Sequence, residues 1–289
     1  MVIGLLSLVF LGTGGGRFAT ILQARATGGL YVYSDSTRLH IDPGPGALIR
    51  LRDCGIDPTK TGAIIVTHNH PDHYNDAEIL IEAMTHGCKK KRGIFAASES
   101  VLNGFQNLGP AISKYHASKP LQTTVLKPGM AFDLDRVKVK TTRTFHSDTT
   151  AFGLRLESKD GVLSMTGDTA LKEELFEDHK GATVLVLSVT RPLESRIPYH
   201  LCTEDAAELV KGVRPKLAIL THFGAKFVSS NPDVQANWVE KRSGVRTISA
   251  WDGMTVTLKS MECSVQKCIS RESRDTRKIT EDLDDVIPD

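Results

Sequence analysis

The sequence predicts an α/β protein in which two β-sheets carry helices on their outer faces. Short β-rich runs crowd the first part of the chain, strands alternate with helices in the later part, and several strands end on a histidine or an aspartate. A chain of 289 residues can bury roughly 75% of its unfolded surface without disulfides or other staples. No linker rich in Pro, Gly or Ser and no short-period repeat divides it. One domain is therefore expected over residues 1–258. The segment 259–289 is charge-dense and poor in apolar residues, and is expected to be a mobile or loosely docked tail.

The elements follow in order. "LSLVFLG" reads as a buried first strand: it lacks a basic leader and passes straight into the glycine run Gly12, Gly14, Gly15, Gly16, so we do not read it as a targeting segment. "LYVYS" and "RLHID" flank the turn "DST" as a hairpin, and a helix follows near Ala47–Cys54, stopped by Gly55. "GAIIVT" is apolar on both faces. Residues 75–86 read as a helix capped by Asn75 and stopped by Gly87, and "GIFAA" as a strand, while 98–122 carry no clear period. "RVKVKTTRTF", "AFGLRLES" and "GVLSMTGD" are three successive strands, followed by helix "LKEELFEDH" and strand "ATVLVLSV". "TEDAAELVKGV" is a helix that Thr203 can cap, and "KLAILTH" a strand. "RTISAW" and "MTVTLK" are expected to close the fold as a hairpin around "DG".

Composition excludes little. A formal net charge of +2 neither demands nor forbids a nucleic-acid partner. Cys54, Cys88, Cys202, Cys263 and Cys268 are odd in number and irregularly spaced, which is no disulfide framework and suits a reducing, cytoplasmic setting. No run reaches the roughly 18 apolar residues of a membrane span.

The informative stretch is "THNHPDHYND", where His68, His70, Asp72 and His73 follow directly on an apolar strand. A turn calls for one Asp or Asn, not three histidines. Later strands lead into His146, Asp168 and His222 in the same way. Strand ends share one edge of an α/β sheet, where sites form. Five imidazoles and two carboxylates desolvated together would be costly alone, and divalent cations offset that cost. The bland reading holds for His40, His86, His116 and His179, taken as satisfied core or surface residues. Asp168 in "TGDT" would on its own serve equally as a turn residue.

"THNHPDH" resembles the HxHxDH signature of the metallo-β-lactamase fold, an αββα sandwich, and His146, Asp168 and His222 resemble its later ligand motifs. The resemblance spans residues 4–258. It implies one ion held by His68, His70 and His146, a second held by Asp72, His73 and His222, and Asp168 bridging them. Zinc is the expected metal, with Mn, Fe or Ni as alternatives. A hydroxide between the ions would be the nucleophile, Asp72 would help orient it, and Asp42 in "IDPGPGAL" would support the site from beside it.

Fold alone does not choose a reaction. His200, in "PYHLCTEDAAELV", resembles the additional histidine of the tRNase Z and phosphodiesterase branch, where it faces the scissile phosphate; its bland reading is a surface residue at a helix start. "VFLGTGGG" and "ILTHFGAKF" resemble that branch's opening and closing motifs. The interval from His146 to Asp168 holds two strands and a turn, which leaves no room for the long arm with which tRNase Z grips tRNA. The expected activity is phosphodiester hydrolysis of a nucleotide, a cyclic nucleotide or single-stranded RNA, by a homodimer with no membrane partner. The alternative is thioester, lactone or carboxyl-ester hydrolysis on the same metals. The glycine run lacks the GK[ST] of a P-loop and is expected to form a tight turn near the site, where it could offer N–H groups to phosphate. "KKKR", residues 89–92, reads as a solvated loop, with a phosphate contact as the other reading.

Overall fold

A computed structural model describes residues 5–259 and 262–267. Strand β1 (Leu6–Phe10) leads through the glycine turn to helix α1 (Arg17–Leu22), the hairpin β2 (Leu30–Tyr33) and β3 (Arg38–Ile41), and helix α2 (Ala47–Asp53). Then come β4 (Ala63–Val66), α3 (Pro71–Tyr74), α4 (Ala77–Met84), β5 (Ile94–Ser98), α5 (Glu99–Asn103), α6 (Lys114–Ala117) and β6 (Gln122–Leu126). The second half begins with β7 (Ala131–Leu134), β8 (Val137–Thr142), β9 (Gly153–Ser158), β10 (Gly161–Met165), α7 (Glu174–Asp178) and β11 (Val184–Arg191). It closes with β12 (Leu201–Cys202), α8 (Thr203–Val213), β13 (Leu217–Thr221), α9 (Ala225–Ser229), α10 (Pro232–Ser243), β14 (Thr247–Ser249), β15 (Met254–Lys259) and β16 (Glu262–Lys267).

One sheet has the order β16-β15-β1-β2-β3-β4-β5-β6; the other has the order β14-β13-β11-β10-β9-β8-β7, with β12 beside β11. The period of two in each strand divides its side chains between layers. Leu6, Leu8 and Phe10 of β1, Ala63 and Ile65 of β4, and Val184 and Val186 of β11 meet in the core between the sheets. Val9, Ile64 and Val66 turn outward to pack with Leu51 of α2 and Leu80, Ile81 and Met84 of α4. Leu185, Leu187 and Val189 turn outward on the other sheet, against Leu175 of α7, Ala206 and Val210 of α8 and Val239 of α10. Apolar residues on both faces are why these strands read as continuous hydrophobic runs. Each fully buried Leu, Ile, Val or Phe contributes about 1.5–3 kcal/mol. This is the expected αββα sandwich.

Four expectations need correction. "RTISAW" and "MTVTLK" do not pair: β14 lies parallel to β13, whereas β15 lies antiparallel to β1 in the other sheet. The "DG" between them is a crossing from one sheet to the other, and Asp252 spends its carboxylate on the N–H groups of Thr13 and Ala26. The helix expected over 75–86 is present as the shorter α4, with Asp76 rather than Asn75 at its N-cap; Asn75 instead is the C-cap of the preceding α3. Helix α8 is capped by Cys202, whose N–H and thiol donate to Asp205, while Thr203 is already helical and its hydroxyl donates to Gln235. The start of the charged segment forms β16, because Glu262–Lys267 supplies hydrogen-bonding partners to the open edge of β15. The remainder of that segment, 268–289, lies outside the described residues.

Strands β10, β11 and β13 are mutually parallel, and β8 runs in their direction because both it and β10 are antiparallel to β9. The loops after β8, β10, β11 and β13 therefore open on one edge of this sheet.

Candidate metal centre

Six histidines and two carboxylates meet where the strand ends of the two sheets come together. The loop after β4 contributes His68 and His70, and helix α3 contributes Asp72 and His73. His68 Nε2 lies 3.0 Å from His70 Nδ1, which lies 3.2 Å from His146 Nε2. Asp72, His73 and His222 form a second group: His73 Nε2 is 3.1 Å from His222 Nε2, and Asp72 Oδ2 is 3.6 and 3.4 Å from these two nitrogens. Asp168 Oδ2 stands beside both groups, 3.3 Å from His222 Nε2 and 3.7 Å from His73 Nε2, and Asp168 also groups with His68 and His73. His200 Nδ1 is 3.7 Å from the same Asp168 oxygen.

This donor set fits divalent cations. Nitrogens that face one another at 3.0–3.2 Å have few protons to share. Asp168 Oδ1 is buried with no hydrogen-bond partner, in a molecule where such an atom would cost free energy if left alone. Imidazole and carboxylate suit zinc and its first-row neighbours.

Electrostatics divides the groups. Burial pushes the His68 and His70 rings down, and neighbouring histidines add to it, so both are neutral lone-pair donors. Burial acts the same way on His73 and His222, but Asp72, Asp42 and Asp168 outweigh it for the first, and Asp168 and Asp72 for the second, so both are raised. Burial also opposes ionisation of Asp72 and Asp168, yet the adjoining histidines hold both well below the usual carboxylate range. A cation entering the Asp72–His73–His222 group would displace protons, which couples uptake to pH.

Residues behind the ligand atoms aim them. Asp42, in left-handed backbone (φ 51°), accepts from the N–H and hydroxyl of Thr67 at 2.7 and 2.8 Å and from His73 Nδ1 at 3.0 Å. A proton fixed on Nδ1 leaves Nε2 free to ligate, which is the supporting place expected for Asp42. The Tyr199 carbonyl is 3.2 Å from His146 Nδ1. Two further supports escaped the sequence reading. Thr190 Oγ1, on β11, is 3.1 Å from His222 Nδ1 and 3.3 Å from His200 Nδ1. Asp148 accepts from Asn69 N–H at 3.0 Å and from Ser100 Oγ, pinning the loop between His68 and His70. A lone Thr inside a strand carries no signal of this; the "HSD" that puts Asp148 two residues after His146 was the available hint.

The glycine run is a turn against the site, as expected, but its N–H groups are already engaged. Those of Gly14, Gly15 and Gly16 donate to the Ala26 carbonyl, the Phe223 carbonyl and Asp72 Oδ2. Its service is clearance: a Cβ on Gly15 would lie 2.2 Å from the His222 ring. "KKKR" precedes β5, which is parallel to β4, so it sits at the sheet edge opposite His68. There Lys91 donates to the Ser118 carbonyl, and Arg92 to the carbonyls of Thr59 and Met84. The histidines set aside find partners away from the centre: His40 Nε2 on the Gly28 carbonyl and His179 Nδ1 on Ser164, each with its other ring nitrogen buried and unpartnered, His116 between Glu78 and Glu82, and His86 facing Arg92.

Comparison with known proteins agrees with this fold. Residues 37–223 match the family model described as β-lactamase superfamily domain. Uncharacterized protein MJ1374 of Methanocaldococcus jannaschii is 41% identical over 253 residues, which are 87% of this chain and 94% of that protein. Ribonuclease Z of Bacillus velezensis is 23% identical, over 88% of this chain and 99% of its own. Among solved structures, the metallo-β-lactamase fold protein YhfI from Bacillus subtilis superposes with a TM-score of 0.73 at 19% identity, covering 88% of this chain and 99% of that one.

Proposed function

The chain belongs to the β-lactamase superfamily and is a metal-dependent hydrolase of the metallo-β-lactamase fold; on that premise we propose that it hydrolyses phosphodiesters, with a nucleotide, a cyclic nucleotide or single-stranded RNA as substrate. The observation that carries the reading is His200. Its ring stands 5.0 Å from that of His146, and it belongs to neither the His68–His70–His146 nor the Asp72–His73–His222 group. It also falls in a grouping with His146 and Asp168, but its Nδ1 is engaged by Thr190. The ribonuclease Z resemblance, which extends over most of both chains, supports the same substrate class.

In this reading His68, His70 and His146 would hold one ion and Asp72, His73 and His222 the other, with the Asp168 carboxylate placed to contribute to either group. Two zinc ions are expected, with Mn, Fe or Ni able to replace them. When bound, such ions polarise phosphoryl oxygens and bring the pKa of water towards neutrality. The chain's own residues do the rest. His222 must keep the Nε2 lone pair free, so its proton sits on Nδ1 and is donated to Thr190 Oγ1. That hydroxyl has one proton, which then goes to His200 Nδ1. His200 consequently carries its own proton on Nε2. Burial pushes this ring down to about 4, against the opposing pull of Asp168, so it is neutral near pH 7. His200 is therefore read as a neutral Nε2–H donor that stabilises a phosphoryl oxygen or the departing alkoxide.

The test compares an alkyl phosphodiester, an activated aryl diester, a thioester and a lactone, in the native protein and in His200→Ala. Diesters are expected to be turned over. The variant should keep its metal and lose roughly 10²-fold on the alkyl diester and less on the aryl one, whose leaving group needs no proton. Faster turnover of the thioester or lactone, with His200→Ala indifferent, would assign the site to carboxyl chemistry. A homodimer belongs to the same reading; light scattering at the 31.6 kDa of a single chain would reject it.

A further inference from the structure

Tyr199 is a bulky aromatic in left-handed backbone, φ 66°, a conformation that costs a non-glycine residue about 1–2 kcal/mol. The backbone has a reason for it, since this turn brings the Tyr199 carbonyl to His146 Nδ1. Asn or Gly would make the same turn at lower cost, so the carbonyl does not account for the side chain. Nor does packing: the side chain is 51% exposed, forgoing much of the burial that usually justifies an aromatic. Its ring centroid lies 6.5 Å from that of His146 and the two rings are perpendicular, at 89°, so the contact is edge to face rather than a stack. An exposed ring is thus held at the rim of the cluster, beside a histidine whose other nitrogen faces the centre and next in sequence to His200.

We propose that Tyr199 forms the wall of a nucleobase subsite, on which the base attached to the scissile phosphate stacks. The inference rests on the phosphodiesterase reading and narrows it to base-bearing substrates. Stacking on an aromatic face tolerates every base, because each has a π-face. The edge-to-face contact with His146 and the backbone tethered to it hold the Tyr199 ring beside the cluster.

The experiment measures equilibrium binding to the metal-loaded protein of adenosine 5′-monophosphate and of ribose 5-phosphate, which share a phosphorylated ribose and differ in the base. The native protein should prefer the base-bearing ligand by about tenfold or more, the scale of one base–aromatic stack. Tyr199→Ala should reduce that ratio about tenfold, and Tyr199→Phe should restore it. A purely structural role would weaken both ligands together and leave the ratio unmoved. A native ratio near one, or a ratio indifferent to Tyr199→Ala, overturns the subsite. Because binding is read without turnover, failure to cleave diesters would sink the activity and leave this result standing or falling on its own.

Discussion

His40 and His68 occupy neighbouring strands of one sheet, both fully buried, and have opposite fates. His40 lies within β3, opposite Ile64 of β4, and its Nε2 meets the Gly28 carbonyl at 2.8 Å. His68 lies just past the end of β4, and its Nε2 meets another imidazole nitrogen. Desolvation acts on both, pushing His40 down to about 4 and His68 well below the usual imidazole range. Burial therefore does not mark a site. What separates the two regions is the partner: inside the strand a backbone carbonyl takes one nitrogen of a lone ring and leaves Nδ1 buried and unpartnered, whereas at the strand ends acceptors converge on acceptors, a geometry that only a cation or a set of protons completes.

The strongest way to break this comparison is Asp168→Ala. In the strand-end region it removes the carboxylate shared by both groups, so elemental analysis should show at least one ion per chain lost and assays should show activity falling to background. A variant with full metal content and native turnover would reduce Asp168 to a turn residue and the cluster to a hydrogen-bonded network. A smaller effect sharpens the other side. The folded-state pKa of His40 is depressed, so the neutral form is favoured on folding and its contribution is complete above the unfolded value near 6.5. It is lost as pH falls from there towards about 4, at about 1.4 kcal/mol per pH unit. Urea unfolding of the native protein should therefore lose about 2 kcal/mol more than His40→Gln between pH 7 and pH 5. Equal losses would show that His40 titrates normally and that strand-interior histidines are not held neutral.

How much was legible follows from the same physics. His68, His70, Asp72, His73, His146, Asp168 and His222 could be named because strand ends have a local signature, an apolar run broken by a titratable residue, and because several such breaks occur in one chain. Strands β6 and β7 were not read: they lie at sheet edges, half exposed, and "QTTVL" and "AFDL" give no sustained alternation. Helix α10 was missed since its "PDVQANWVEKRS" is polar with a weak apolar face, and its order comes from packing on α8. The "DG" turn misled because hairpin chemistry is local, whereas which sheet accepts each flanking strand is decided by the distant β1 and β13. Thr190 and Asp148 were invisible for a related reason: their partners lie up to 79 positions away in sequence.

One pairing sets the timetable of the molecule's own making. Strand β1 lies between β2 and β15, with Leu6 opposite Leu258, and Asp252 ties down the turn whose glycines press on Asp72 and His222. The opening residues of the chain therefore wait for its closing strand. At a synthesis rate of about 5–20 residues per second, the first histidines emerge on the order of ten seconds or more before the strand that completes their surroundings. The nascent chain therefore carries the residues of the candidate centre unassembled until β15 has emerged.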